Sequence, residues 1–138
     1  MAIKIAMLGM GRMGREIVRN AAAEGMQVVA AVDSDDSPSI GQDAGTLAGI
    51  SPLGVNVAGA GNLMDILDRA TPDVVVDFSG PEACVKNSAI ICENKINMVV
   101  GTTGFSDEQM GELTKNIENA GIGAVISPNM SVGVNVFW

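Results

Sequence analysis

The run Gly9-Met10-Gly11-Arg12-Met13-Gly14 is the first group whose residue types and spacing could do chemistry. It fits G-x-G-x-x-G, follows directly on an aliphatic stretch and opens onto a helical pattern. Glycines at this spacing permit a tight turn and bring backbone N–H groups up to a pyrophosphate, whose charge the N-terminal end of a helix favours. Asp33 stands nineteen residues after Gly14, where a carboxylate can accept hydrogen bonds from adenosine ribose hydroxyls. A carboxylate there disfavours a 2′-phosphate, and Ser34, Asp35 and Asp36 supply no arginine to hold one, so NADH is expected over NADPH. Arg12 is the opposing signal: a guanidinium in the phosphate loop could reach a 2′-phosphate, which keeps NADPH as the alternative.

Two further segments, Asp77-Phe78-Ser79-Gly80-Pro81 and Gly101-Thr102-Thr103-Gly104-Phe105, each follow a short aliphatic run. In an open α/β sheet ligands collect at the carboxyl ends of the strands, which makes Phe78, Ser79, Gly101, Thr102 and Thr103 candidate contacts. Their hydroxyls and amides suit a nicotinamide carboxamide and a substrate carboxylate; the plainer role is to turn the chain into the next helices.

Those loops need strands and helices to position them. Ile3–Leu8 reads as a strand, Met13–Glu24 as a helix stopped by Gly25, and Met26–Val32 as a second strand. Ser34–Leu53, rich in Asp, Ser, Gly and Pro, reads as a long surface loop of the kind that forms lids. Val55–Ala58 is a weak third strand, Leu63–Arg69 a helix, and Val74–Asp77 a central strand whose three valines are expected to be buried on both faces. Pro81 opens a helix to Glu93, and Asn97–Val100 is a fifth strand. Ser106 with Gln109 forms a capping-box pattern for a helix ended by Gly121, before a sixth strand at Gly123–Ile126. The alternation predicts an α/β fold of the Rossmann type: a doubly wound parallel sheet of about six strands with helices on both faces.

Composition agrees with this and excludes other classes. The 138 residues suffice for one domain, and 47% hydrophobic with 3% aromatic residues suits aliphatic parallel strands. A net charge of −8 with scattered basic residues argues against nucleic acid. No apolar run approaches the roughly 20 residues of a membrane span, and a cytoplasmic setting is expected. Cys84 and Cys92 lie about two turns apart on one helix, too far to pair, and are expected to be small buried hydrophobes. With no histidine and no clustered thiols, no metal site is expected.

Together, Gly11-Arg12-Met13-Gly14, Asp77-Phe78-Ser79-x-Pro81, Val100-Gly101-Thr102-Thr103-Gly104-Phe105 and Asn129-Met130-Ser131-Val132-Gly133-Val134-Asn135 resemble the dihydrodipicolinate reductases. These are nicotinamide-dependent reductases of the diaminopimelate route to lysine, and the resemblance covers their N-terminal cofactor domain. It implies that Leu8, Gly9, Met10, Gly11, Arg12 and Met13 cradle the cofactor and that Asp33 holds its ribose. Gly101, Thr102 and Thr103 would line the nicotinamide end, with Thr103 also near substrate; Ser127, Pro128, Asn129 and Met130 would form the far wall. One departure is Leu8, which stands where the family usually has glycine, the glycine being moved to Gly9.

The family's histidine-rich acid/base segment and its P-S-G-T-A substrate loop belong to a second, catalytic and tetramer-forming domain and have no counterpart here, so no catalytic residue is assigned in this chain. The resemblance implies that the complete protein reduces 4-hydroxy-tetrahydrodipicolinate, or dihydrodipicolinate, to tetrahydrodipicolinate as a homotetramer. The chain alone is then expected to be inactive and monomeric. The apolar stretch Val132–Trp138 reads as a helix that continues into a further domain. The alternatives are a free-standing dinucleotide-binding module or sensor, and another amino-acid oxidoreductase such as aspartate or diaminopimelate dehydrogenase. The G-T-T-G-F and N-M-S-V-G-V-N segments argue against both dehydrogenases.

Overall fold

Alternate residues of the first strand, β1 (Lys4–Leu8), serve two different cores. Ala6 and Leu8 join Ala30, Val32, Val75, Met98 and Val100 on one face of the sheet, whereas Ile5 and Met7 join Val28 and Ala31 on the other. A strand buried on both faces carries apolar residues without interruption, which is why the strands read as aliphatic runs.

The computed structural model describes residues 2–126. After β1 come α1 (Arg12–Ala23), β2 (Gln27–Asp33), α2 (Ala44–Leu47), β3 (Ala58–Gly59), a 3₁₀ turn (Ala60–Asn62), α3 (Leu63–Ala70) and β4 (Val74–Asp77). Then follow α4 (Pro81–Glu93), β5 (Asn97–Val100), α5 (Asp107–Ala120) and β6 (Ala124–Ile126). All six strands are parallel, in the order β3-β2-β1-β4-β5-β6. Leu63, Leu67, Cys84, Ile91 and Leu113 bring α3, α4 and α5 onto one face, and Val18, Ala21 and Ala44 bring α1 and α2 onto the other. The chain winds outward in opposite directions from β1 and β4, so a crevice opens between their carboxyl ends, where dinucleotides bind in doubly wound sheets.

Where the sequence carries strong punctuation, the elements fall as expected. Pro81 starts α4, the Ser106 hydroxyl accepts the Gln109 N–H at 3.1 Å while Gln109 Oε1 accepts the Ser106 N–H at 2.8 Å, and Gly121 ends α5 at φ 70°. Both cysteines are buried and free. Among the described residues no helix is long and apolar enough to cross a membrane. The helix expected from Val132 lies outside the described residues.

Three expectations are corrected. The third strand is Ala58–Gly59 instead of Val55–Ala58, because the Val55 and Val57 carbonyls accept from Ala44 and Gly41 of the preceding loop. Residues 34–53 do not form a free lid: they contain α2 and are tied to residues 53–57 by backbone bonds and by Asp43. Val74 and Val76 are half-buried, since α1 covers the sheet over β1 and β2 and leaves a groove of about 420 Å³ along Ile3, Val74, Val76, Phe78 and Val99.

Asp43 explains the order of that loop. Its carboxylate accepts N–H bonds from Leu53, Thr46, Val55 and Gly54, which draw its pKa down to about 2. A carboxyl held below its unfolded value stabilises the fold above about pH 4 and loses that contribution as pH falls through 2. Asp43→Asn is therefore expected to lower the melting temperature at neutral pH and to converge with the wild type in acid. Melting curves from pH 7 to pH 2 check this, and a constant difference over the range would refute it.

Candidate functional site

The three motif glycines have three different physical reasons. Gly9 adopts φ 95° and receives no side chain because its Cβ would lie 2.7 Å from the Phe78 carbonyl oxygen. At Gly14 a Cβ would overlap the Gly9 carbonyl oxygen, so this glycine lets α1 pack against the loop. Gly11, the N-cap of α1, has an ordinary φ of −76° and would point a Cβ into open space. Packing among the described residues does not require glycine there; a ligand seated on the loop would.

That space faces a helix end suited to an anion. No side chain caps α1 and no acidic residue occupies its first turn, so its leading N–H groups lack an internal acceptor. Gly9 N–H is taken by the Val32 carbonyl at 2.8 Å and Met10 N–H by Asp33 Oδ2 at 3.3 Å, which fixes the loop to the end of β2. Arg15 adds a brace, its Nε donating to the Met10 carbonyl at 2.9 Å and its guanidinium to Ser39 Oγ at 3.2 Å. Leu8 and Met10 have buried side chains, so both meet the site through their backbones, whereas Arg12 and Met13 are exposed at the rim.

Beside the loop lies a cavity of about 390 Å³ between the ends of β1 and β2, the turn after β3 and α4. Leu8, Gly9, Asp33, Asp35, Ser79, Lys86 and Asn87 are among its lining residues. Asp33 Oδ1 accepts the Ser34 N–H at 2.9 Å and Oδ2 the Ser37 hydroxyl at 3.2 Å, so the carboxylate is held in place without a cation. The cation in this lining is Lys86; Arg12, the residue the sequence singled out, is not part of it.

At the other end, Phe78 lays its ring where a Gly101 Cβ would sit, which explains glycine at the end of β5. Thr102 is 6% exposed and its hydroxyl donates to the Asp77 carbonyl at 3.2 Å, so this side chain braces the β4 and β5 loops. Thr103 is exposed and remains the hydroxyl that could meet a ligand. Beneath them Asp77 is fully buried: Ser79 donates to its Oδ1 through both N–H and Oγ–H, and Oδ2 has no partner among the described residues. Burial pushes the Asp77 carboxyl up, and burial together with Asp77 pushes the neighbouring Cys84 thiol up, leaving it an unreactive thiol. Ser127, Pro128, Asn129 and Met130 lie outside the described residues.

Arg15, Lys86 and Asn87 went unnoticed in the sequence, and Asp35 and Asp77 stood in it without an assigned role. A signal existed for Asn87: with Ala83 and Ile90 it shares one face of α4 at helical spacing, a polar residue in an apolar stripe.

Sheet order, the three glycine roles and the carboxylate closing β2 define a dinucleotide-binding domain. The chain belongs to the family described as "Dihydrodipicolinate reductase, N-terminus", whose model matches residues 3–130. It is 43% identical over 138 residues to the 4-hydroxy-tetrahydrodipicolinate reductase of Methanocaldococcus jannaschii, covering 99% of this chain and 50% of that protein. The enzyme of the same name from Methanobrevibacter smithii is 46% identical over 138 residues, again covering 99% and 50%. The chain thus spans about half the length of these curated relatives. Among solved structures it is similar to dipicolinate-bound dihydrodipicolinate reductase from Paenisporosarcina sp. TG-14, with a TM-score of 0.73, 30% identity, and 96% and 49% of the two chains covered.

Proposed function

We propose that this chain is the cofactor-binding half of a reductase that converts 4-hydroxy-tetrahydrodipicolinate to tetrahydrodipicolinate with NADH as the preferred reductant. The observation that carries the reading is Gly11, where a side chain would touch none of the described residues and whose missing side chain opens the helix end beside the Asp33 cavity.

In this reading the leading N–H groups of α1 hold the pyrophosphate, and the Asp33 carboxylate accepts the ribose hydroxyls while staying bonded to Met10, Ser34 and Ser37. Phe78, Gly101 and the backbone of Thr102 wall the nicotinamide end, and Thr103 offers its hydroxyl to the substrate carboxylate. The bound cofactor supplies the hydride. The substrate hydroxyl leaves as water and the hydride goes to the carbon that carried it; the chain has no histidine, and the proton for the adjacent carbanion-like carbon is assigned to the part of the relatives that lies beyond this match. The same part would join four copies in the assembled, cytoplasmic enzyme.

The test is a reductase assay on the full-length protein, following consumption of NADH with 4-hydroxy-tetrahydrodipicolinate as substrate. Asp33→Ala is expected to raise KM for NADH about tenfold, as expected for losing hydrogen bonds to a charged acceptor, with kcat changed less than KM. Absence of turnover with either NADH or NADPH would overturn the proposal.

A further inference from the structure

The adenosine-side cavity carries more fixed negative charge than ribose recognition needs. Asp35, two residues past Asp33, accepts the Gly61 N–H on Oδ1 at 3.0 Å. Its carboxylate occupies the space that side chains at residues 59 and 61 would fill: a Cβ at Gly59 would overlap Oδ1, and one at Gly61 would lie 2.9 Å from Oδ2. Gly59 is also the residue opposite Asp33 in the β2–β3 pairing. The end of β3 therefore fixes a second carboxylate in the cavity lining that Asp33 shares.

The cavity also holds a polar group suited to a ligand. Asn87 is 5% exposed, lines this space and makes no side-chain hydrogen bond among the described residues. Its amide is nine-tenths buried yet reaches the cavity space, where a bound molecule can supply the partner that the described residues do not. The charged side chains lining the cavity are Asp33, Asp35 and Lys86.

We infer that Asp35 is a specificity-determining residue, a carboxylate pinned by Gly61 on a glycine-made seat that discriminates against adenosine carrying a 2′-phosphate. The inference rests on the cofactor reading above and adds to it: Asp33 satisfies the ribose, Asp35 repels the extra phosphate, and Lys86 offsets part of that repulsion. Because Asp35 is exposed, water and salt screen its field, and the effect is moderate in size.

The experiment is calorimetric titration of full-length wild-type protein and Asp35→Asn with NADH and with NADPH, at low and high salt. Asparagine keeps an oxygen for the Gly61 N–H and removes the charge. The ratio of NADPH to NADH affinity is expected to rise about tenfold at low salt, and to rise less at high salt. An unchanged ratio, whether both affinities stay or fall together, would overturn the inference while leaving the cofactor site standing. Wild-type protein that binds neither dinucleotide would overturn the cofactor reading and this inference with it.

Discussion

Gly11→Val is expected to leave the protein folded and to weaken dinucleotide binding by about 100-fold, on the order of 2.7 kcal/mol. Its backbone, at φ −76° and ψ −162°, is extended and open to any residue, and a Cβ there meets no atom of the described residues within 4 Å. The folding cost should therefore stay within about 1 kcal/mol, the preference of an N-cap for glycine over an apolar residue. Valine would instead fill the space over the leading N–H groups of α1, where a pyrophosphate must approach. Titration with NADH and a melting curve on the same preparation separate the two effects. Retained affinity would mean that the anion does not sit at this helix end.

Gly14→Ala should do the reverse and damage the fold itself. One methyl group would overlap the Gly9 carbonyl oxygen, and that oxygen belongs to a turn already fixed by Gly9 N–H on Val32 and by the close approach of Phe78. Neither α1 nor the loop can yield without moving β1 or β4, so the loss is expected to reach about 3 kcal/mol or more, the upper range for overpacking. That corresponds to a fall of roughly 10 °C or more in melting temperature. A variant melting within a few degrees of the wild type would show that the loop has room to relax. The two glycines share one motif, yet one answers to the ligand and the other to the fold.

This division was only partly legible in the sequence. The glycine loop, Pro81, the Ser106 capping box and Gly121 are local signals, each complete within a few residues, and the elements they bound lie where local chemistry puts them. The stretch from Ser34 to Leu53 looked structureless because its order is long-range: Asp43 collects N–H groups from residues ten to twelve positions away, and no local pattern announces such a partner. Burial of Val74 and Val76 depends on what covers that face of the sheet, which their own sequence does not encode. On the candidate site, Asp33 was legible from its distance to Gly14. Asp35 was visible only as a residue that is not arginine, since its role depends on Gly59 and Gly61 meeting it across β3. Thr102 stands at a strand end where threonine serves equally well as a ligand contact or a brace, and only the structure shows that its hydroxyl donates to the Asp77 carbonyl.

In the proposed cofactor site one dinucleotide would lie across the crevice between β1 and β4, with pyrophosphate over Gly11, adenosine in the cavity bounded by Asp33, Asp35 and Asn87, and nicotinamide beside Phe78 and Gly101. A crystal structure of the full-length protein with NADH bound would locate each part of the dinucleotide. Phosphate oxygens are expected within hydrogen-bond distance of the α1 N-terminal amides, with a ribose hydroxyl donating to Asp33. A dinucleotide bound elsewhere, or one whose adenosine lies outside the Asp33 cavity, would contradict this placement.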